Sequence, residues 1–181
     1  ATYASLFPIV TCSREVQYGS IAPLIELGAG FDGNLTAREN IFLNGCLLGH
    51  SQKYMEEHFN EIVDFAELWD FLDSPIKNYS SGMRARLGFA IATMVKPDIF
   101  IVDEVLAVGD YKFRMKCEKR MEDMLKGGTT LLFVSHSIDE VKRLCDHALW
   151  LNKGKLIQMG EVNEVCEAYM EGIGAVQKTD K

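Results

Sequence analysis

The sequence predicts an α/β protein in which an all-helical segment precedes a parallel β-sheet covered by helices. Two short runs, DIFIVDE at 98–104 and TTLLFVSH at 129–136, are almost uniformly apolar and end in polar residues. Such runs are typical of strands buried on both faces of a parallel sheet, and helical patterns separate them. Between residues 36 and 95, in contrast, apolar residues recur at helical spacing.

Length and composition limit the classes of function. The 181 residues, 48% hydrophobic and 25% charged, are enough for one domain with a sizeable core. The net charge of −7 argues against nucleic acid as a partner. Five cysteines without a C-x-x-C pair favour a reduced compartment over a disulfide framework or a zinc site. No apolar run reaches the roughly 18 residues that span a bilayer, so we expect no direct membrane insertion.

Capping residues and apolar spacing place the individual elements. Thr36 and Glu39 have the spacing of a capping box, and Ser80 or Ser81 can begin a later helix. The predicted helices cover 36–48, 51–68, 82–95, 110–126, 137–145 and 161–172. A strand at 21–27 and a hairpin at 148–160 complete the prediction, with a flexible tail at 173–181.

The stretch LIELGAGFDGNLTAREN contains a G-x-G-x-x-G formed by Gly28, Gly30 and Gly33. One interpretation is a dinucleotide-dependent enzyme. In a dinucleotide fingerprint the third glycine lies inside the helix and an acid ends the next strand about 20 residues later. Here Gly33 precedes the predicted cap Thr36, and the region about 20 residues on is helical. This placement argues against the fingerprint, and glycines suit a flexible joint just as well as a phosphate site.

Polar side chains follow both buried strands. Asp103 and Glu104 end the first strand, and Ser135 and His136 end the second. Open α/β sheets bind ligands at this edge. One carboxylate could hold Mg²⁺, the other could activate water, and the histidine could contact a γ-phosphate. The alternative is that these residues only cap the following elements.

The segment YSSGMRARLGFA at 79–90 places two serines and a glycine at a helix start. Free N–H groups and the positive end of the helix dipole suit an anion there. A plain serine cap is the alternative. The order of this helix start, the Asp-Glu strand end and then the histidine favours a functional set.

Taken together, these motifs resemble the nucleotide-binding subunit of an ABC transporter over about residues 19–170. YSSGM resembles the signature motif L-S-G-G-Q, PDIFIVDE the Walker B strand, VLAVGD the D-loop, and FVSHSIDEVKRLCDHALWLNKGKL the switch-histidine region. The chain is similar to exporters of polysaccharide, O-antigen or teichoic acid, on the runs LIELGAGFDGNLTAREN, YSSGMRARLGFAIAT and VDEVLAVGD. The resemblance implies a P-loop NTPase-like core, incomplete at the N-terminus, with an inserted helical subdomain.

The resemblance assigns a role to each candidate at the two strand ends. Asp103 would be the Mg²⁺-associated acid, Glu104 the catalytic base, and His136 the switch histidine. Glu26 would stand at the Q-loop position, where the family usually has glutamine.

At the signature motif, Ser80, Ser81 and Gly82 would contact the γ-phosphate of ATP held by the other subunit of a head-to-tail homodimer. Asp110 would lie at that interface. The resemblance also implies a permease partner in the membrane and a cytoplasmic location at its inner face.

Four parts follow from the resemblance for the single partial domain at 1–181. They are a remnant of the core with the Q-loop region (1–35), the helical subdomain (36–95), the α/β core (96–172) and the flexible tail (173–181).

One family motif does not occur in the sequence. The phosphate-binding G-x-x-x-x-G-K-[ST] is absent, and the first 18 residues do not resemble that region. We therefore expect this chain alone to bind ATP weakly or not at all. Two alternatives stay open: a truncated or degenerate non-catalytic subunit, and an ATPase head of the chromosome or DNA-repair type.

Overall fold

Six strands form one sheet in the order β2-β3-β4-β1-β5-β6. The computed structural model describes residues 3–5, 20–24, 28, 30–94, 97–103 and 110–179. The strands are β1 (Tyr3–Ser5), β2 (Ile21–Leu24), β3 (Ile99–Asp103), β4 (Thr130–Val134), β5 (His147–Asn152) and β6 (Lys155–Glu161). The first five strands of the order pair in parallel, and β6 pairs antiparallel to β5.

The helices follow the predicted pattern. They are α1 (Ala37–Leu47), α2 (Gln52–Ala66), α3 (Ser81–Ala92), α4 (Tyr111–Lys126), α5 (Ile138–Leu144) and α6 (Val162–Thr179), with two 3-10 turns at Trp69–Phe71 and Ile76–Asn78. For α1 to α5, each predicted end lies within three residues of the observed end. The predicted helical segment at 36–95 corresponds to α1, α2 and α3.

Two features at the chain ends differ from the sequence expectation. Strand β1 was not predicted, yet Tyr3 pairs with both Leu132 and His147. At the other end, α6 includes residues 173–179, where we expected a flexible tail. The apolar spacing of the final helix continues through Ile173 and Val176, which accounts for the helical conformation; flexibility there stays a prediction.

Alternate strand positions are buried to different degrees. Phe100 and Val102 of β3 and Leu131 and Phe133 of β4 are buried, whereas the residues between them are only partly covered. These buried strand residues pack with buried apolar residues of the helices, and together they form the hydrophobic core.

The entry into α1 is held by local hydrogen bonds. The Thr36 hydroxyl accepts from the Glu39 N–H, and the Glu39 carboxylate accepts from Thr36, which completes the predicted capping box. The buried Asn40 side chain donates to the carbonyls of Asp32, Leu35 and Thr36. These bonds fix the loop that precedes the helices.

Among the residues that the structure describes, no helix is both long and apolar enough to cross a bilayer.

Candidate functional site

The carboxyl ends of β3 and β4 lie side by side, as the sequence predicted. Asp103 is the last residue of β3 and pairs in register with Val134 of β4. His136 follows two residues later, and both His136 and Asp103 are exposed. The pairing places their backbones at one edge of the sheet. Glu104, the predicted base, lies outside the described residues.

The turn that carries His136 is stabilised by a buried serine. The Ser135 hydroxyl accepts a hydrogen bond from the Ser137 N–H at 3.0 Å and donates to a Glu140 carboxylate oxygen at 3.4 Å. Ser135 is 3% exposed. Its bonds fix the backbone around His136 and leave that imidazole at the surface.

The side chains at this edge of the sheet fit Mg²⁺ only where phosphate oxygens of a bound nucleotide supply further ligands. Among the described residues, no group of three or more His, Cys, Asp or Glu side chains is placed to hold a metal ion. Asp103 offers one carboxylate. Protein-bound Mg²⁺ commonly takes one or two carboxylates and completes its shell with water and substrate phosphates. Asp103 therefore fits an ion that arrives with a nucleotide.

The start of α3 carries the signature motif. Ser80 is the N-cap, and its hydroxyl accepts from the Met83 N–H at 3.1 Å. This confirms the cap that the sequence predicted. The side chains of Ser80 and Ser81 are exposed, so the helix start is open to an anion as well.

An open cavity of about 570 Å³ lies beside this helix start. We call it the signature cavity. Its lining comes from the end of α2 and the turn after it, from the start of α3 and from the residue before α4: Glu67, Leu68, Phe71, Ser80, Ser81, Gly82, Met83, Arg86 and Asp110. The structure thus brings all three predicted signature residues together with Asp110. Asp103 and His136 are not part of this lining.

Asp110 has two roles at the start of α4. One carboxylate oxygen accepts from the Phe113 N–H at 2.9 Å and caps the helix, and the other accepts from the Arg86 guanidinium. The Phe113 N–H and then the Arg86 charge lower the pKa of Asp110. The carboxylate is therefore held in its charged form in the lining of the signature cavity.

Arg86 was not predicted as a site residue. Its guanidinium contacts Asp110 at 2.5 Å and Glu67 at 3.4 Å, and it lies over the Phe113 ring at 4.9 Å. The sequence contained a signal for it: Arg86 follows Gly82 by four residues, so the two share one helix face. No spacing in the sequence indicates that Asp110 and Glu67 are the partners of Arg86.

The glycine-rich stretch adopts the conformation of a turn. Gly28 and Gly30 have φ angles of +89° and +83°, a region that side chains other than glycine rarely adopt. Gly33 lies in a turn and accepts from the Lys77 N–H at 3.0 Å, before α1 begins. This is not the glycine placement of a dinucleotide fingerprint. Glu26, the predicted Q-loop residue, lies outside the described residues.

A family model described as "ABC transporter" matches residues 13–107, more than half of the chain. The chain belongs to the ABC transporter family. The match confirms the resemblance to the ABC transporter family that the sequence motifs indicated. The matched residues of this ABC transporter chain include the signature motif and the Walker B strand.

Within the ABC transporter family, the chain is similar to curated ATP-binding proteins that are named for export systems. The O-antigen export system ATP-binding protein RfbB of Klebsiella pneumoniae is 45% identical over 163 residues, covering 90% of this chain and 66% of the relative. The teichoic acids export ATP-binding protein TagH of Bacillus anthracis is 43% identical over 173 residues, covering 94% of this chain and 32% of the relative. The chain thus spans about two thirds of the length of the K. pneumoniae relative and about one third of the length of the B. anthracis relative.

Solved structures support the ABC fold independently. The ATP-binding subunit of an ABC transporter aligns over 83% of this chain with a TM-score of 0.71 at 21% identity. A dimeric ATP-binding cassette in a post-hydrolysis state, bound to ADP and Pi, aligns over 79% with a TM-score of 0.63. The predicted fold class, a P-loop NTPase-like parallel sheet with a helical insertion, is confirmed.

Proposed function

We propose that this chain is part of an ATP-hydrolysing subunit that drives export of a cell-surface polysaccharide or lipid-linked glycan through a permease. The observation that supports it most is the register of β3 against β4, in which Asp103 pairs with Val134, two residues before His136. Family membership implies nucleotide binding. The relatives are named for O-antigen and teichoic acid export.

The chemistry at the sheet edge is divided among three residues. Asp103 would hold Mg²⁺, which supplies positive charge against the phosphate oxygens. Glu104 would accept the proton of the attacking water, and His136 would hold the γ-phosphate in line. The exposed positions of Asp103 and His136 suit contact with a bound nucleotide.

The signature cavity would serve the nucleotide of a second subunit. Ser80, Ser81 and Gly82 would bind its γ-phosphate in a head-to-tail dimer, and Asp110 would lie at the same interface. The N–H groups and dipole at the start of α3 support this role. The glycine-rich stretch that follows Glu26 would act as a flexible joint and contact the permease at the inner face of the membrane. The subunit would be cytoplasmic.

We further propose that residues 1–181 alone bind Mg-ATP weakly or not at all, because the sequence contains no G-x-x-x-x-G-K-[ST]. A subunit that contributes its signature motif and permease contact without hydrolysing ATP is the alternative function. The two candidates differ in whether Glu104 and His136 are needed for turnover.

A chimeric protein would test both candidates. The N-terminal part of the K. pneumoniae relative, up to the position aligned with residue 19, is joined to residues 20–181 of this chain. We expect the chimera to bind and hydrolyse ATP. Glu104→Gln should retain ATP binding and lower turnover by about a hundredfold or more, because an amide cannot accept the proton. His136→Ala should also lower turnover.

Matched controls separate chemistry from folding. His147→Ala changes an exposed histidine at the start of β5, at the opposite end of its strand from the proposed edge, and should leave turnover unchanged. A chimera that binds ATP without hydrolysing it would support the non-catalytic candidate. Full turnover in Glu104→Gln would remove Glu104 from its proposed role.

A further inference from the structure

Arg86 connects two elements that the proposed function treats separately. It extends from α3, one turn beyond the signature motif, and its guanidinium binds the carboxylate of Asp110 at the start of α4. The same guanidinium lies 4.9 Å above the ring of Phe113. A single side chain therefore contacts both the cap residue of α4 and the first buried aromatic residue of that helix.

The surroundings of Arg86 restrict its movement. Its side chain is 20% exposed, and a second carboxylate, Glu67, accepts from it at 3.4 Å. Glu67 is itself held by Lys116, whose ammonium lies 3.2 Å from the other oxygen of that carboxylate. Lys116 also donates to the carbonyl of Phe65 at 2.9 Å, at the end of α2. The planar fork of arginine suits this arrangement of several acceptors, which a lysine could satisfy only in part.

We propose that Arg86 is a positioning residue: through Asp110 it fixes the start of α4 relative to the phosphate-binding end of α3. Asp110, the cap of α4, is thereby held at a fixed place beside the signature motif. This inference rests on the proposed function for its consequence in catalysis, while the physical coupling of α3 to Asp110 can be measured without nucleotide.

The coupling is tested by amide hydrogen exchange, followed by NMR, on residues 1–181. The Phe113 N–H is bonded to the Asp110 carboxylate, whereas the Met83 N–H is bonded to Ser80. In Arg86→Gln we expect the Phe113 amide to exchange about threefold faster or more, the size expected from losing a partly exposed ion pair. The Met83 amide should be unaffected.

Three further variants give the experiment its controls. Arg84→Gln removes an exposed arginine from the same helix and should change neither amide. Arg86→Lys retains the charge and should restore part of the protection at Phe113. Asp110→Asn keeps an oxygen for the cap but removes the charge; combined with Arg86→Gln it should add little to the change that either produces alone.

Unchanged exchange of the Phe113 amide in Arg86→Gln, or additive effects of Arg86→Gln and Asp110→Asn, would overturn the proposal. If Arg86→Gln does not fold, the comparison of Asp110→Asn with wild type provides the same decision, because Asp110→Asn loses the ion pair from the other side.

Activity in the chimera tests the catalytic consequence. We expect Arg86→Gln to lower kcat several-fold with a smaller change in the KM for ATP, because Ser80, Ser81 and Gly82 are unchanged, and Arg86→Lys to recover part of kcat. An unchanged kcat beside an altered Phe113 amide would overturn the catalytic part. An inactive wild-type chimera would count against the proposed function alone, since the exchange measurement still decides whether Arg86 positions Asp110.

Discussion

At the residue scale, side-chain hydroxyls cap α1 and α3 through hydrogen bonds to nearby N–H groups. Thr36 and Glu39 form the predicted capping box, and Ser80 caps α3. These interactions are local, because donor and acceptor lie three residues apart, so residue types at fixed spacing are enough to predict them.

The ion pairs around Arg86 show why other contacts could not be predicted. Glu67 lies 19 residues from Arg86 in the chain and adopts a left-handed conformation with φ of +59° at the end of α2. Nothing in the spacing of these residues indicates that helix end or the approach of Lys116 from α4. Such contacts depend on how three helices pack, and only the structure provides that.

The Thr36 cap leads to a prediction of stability. Thr36→Ala removes the acceptor of the Glu39 N–H and the donor to its carboxylate, and should lower the free energy of unfolding by about 1 kcal/mol. Thr36→Ser keeps the hydroxyl and should retain most of that stability. Urea unfolding followed by circular dichroism measures both, and equal midpoints for Thr36→Ala and wild type would contradict the prediction.

At the element scale, the junction of α1 and α2 carries a stack of three rings. Tyr54 lies between His50, at 5.3 Å between ring centroids, and His58, at 4.0 Å. Burial, and then the charge of His58, lower the pKa of His50. Protonation of His50 is therefore less favourable in the folded protein than in the unfolded chain.

This pKa shift predicts how stability depends on pH. Because the folded pKa lies below the unfolded value of about 6.5, the unfolded chain binds more protons, and stability should fall as pH drops below about 6.5. The effect should be about 0.5 kcal/mol or less, since His50 is only partly buried and solvent screens its charge. His50→Gln should weaken this dependence in urea unfolding between pH 5 and 8; an identical pH profile would exclude His50 as its source.

Element prediction succeeded where the pattern was long and failed where it was short. The helix α4 extends over 16 residues with a clear apolar spacing, and it was predicted to within one residue. Strand β1 has three residues, YAS, which is too short for a periodic signal. Its place between β4 and β5 depends on pairing with residues more than 120 positions away.

At the scale of the whole molecule, the four cysteines that the structure describes differ in exposure, and Cys12 lies outside the described residues. Cys46 is exposed, while Cys117, Cys145 and Cys166 are buried. Burial raises the pKa of the thiols of both Cys117 and Cys145 to about 12. The thiolate that reacts with maleimides is therefore almost absent from these two residues at pH 8.

Thiol labelling should consequently report global unfolding. With N-ethylmaleimide at pH 8, Cys46 should react within minutes, and the three buried cysteines only at the rate of unfolding or in denaturant. Peptide mapping by mass spectrometry assigns each site, and Cys46→Ser is the control for the fast phase. Rapid labelling of Cys117 in the native protein would contradict the burial described here.

The placement of α4 has a mechanical consequence. The helical region packs on the sheet through α3 and β2. Phe113 of α4 packs against Phe65 of α2 and Phe89 of α3, beside the ion pairs of Arg86 and Lys116. Glu118 of the same helix binds Arg143 of α5, so α4 braces the helical region against the α/β part of the molecule.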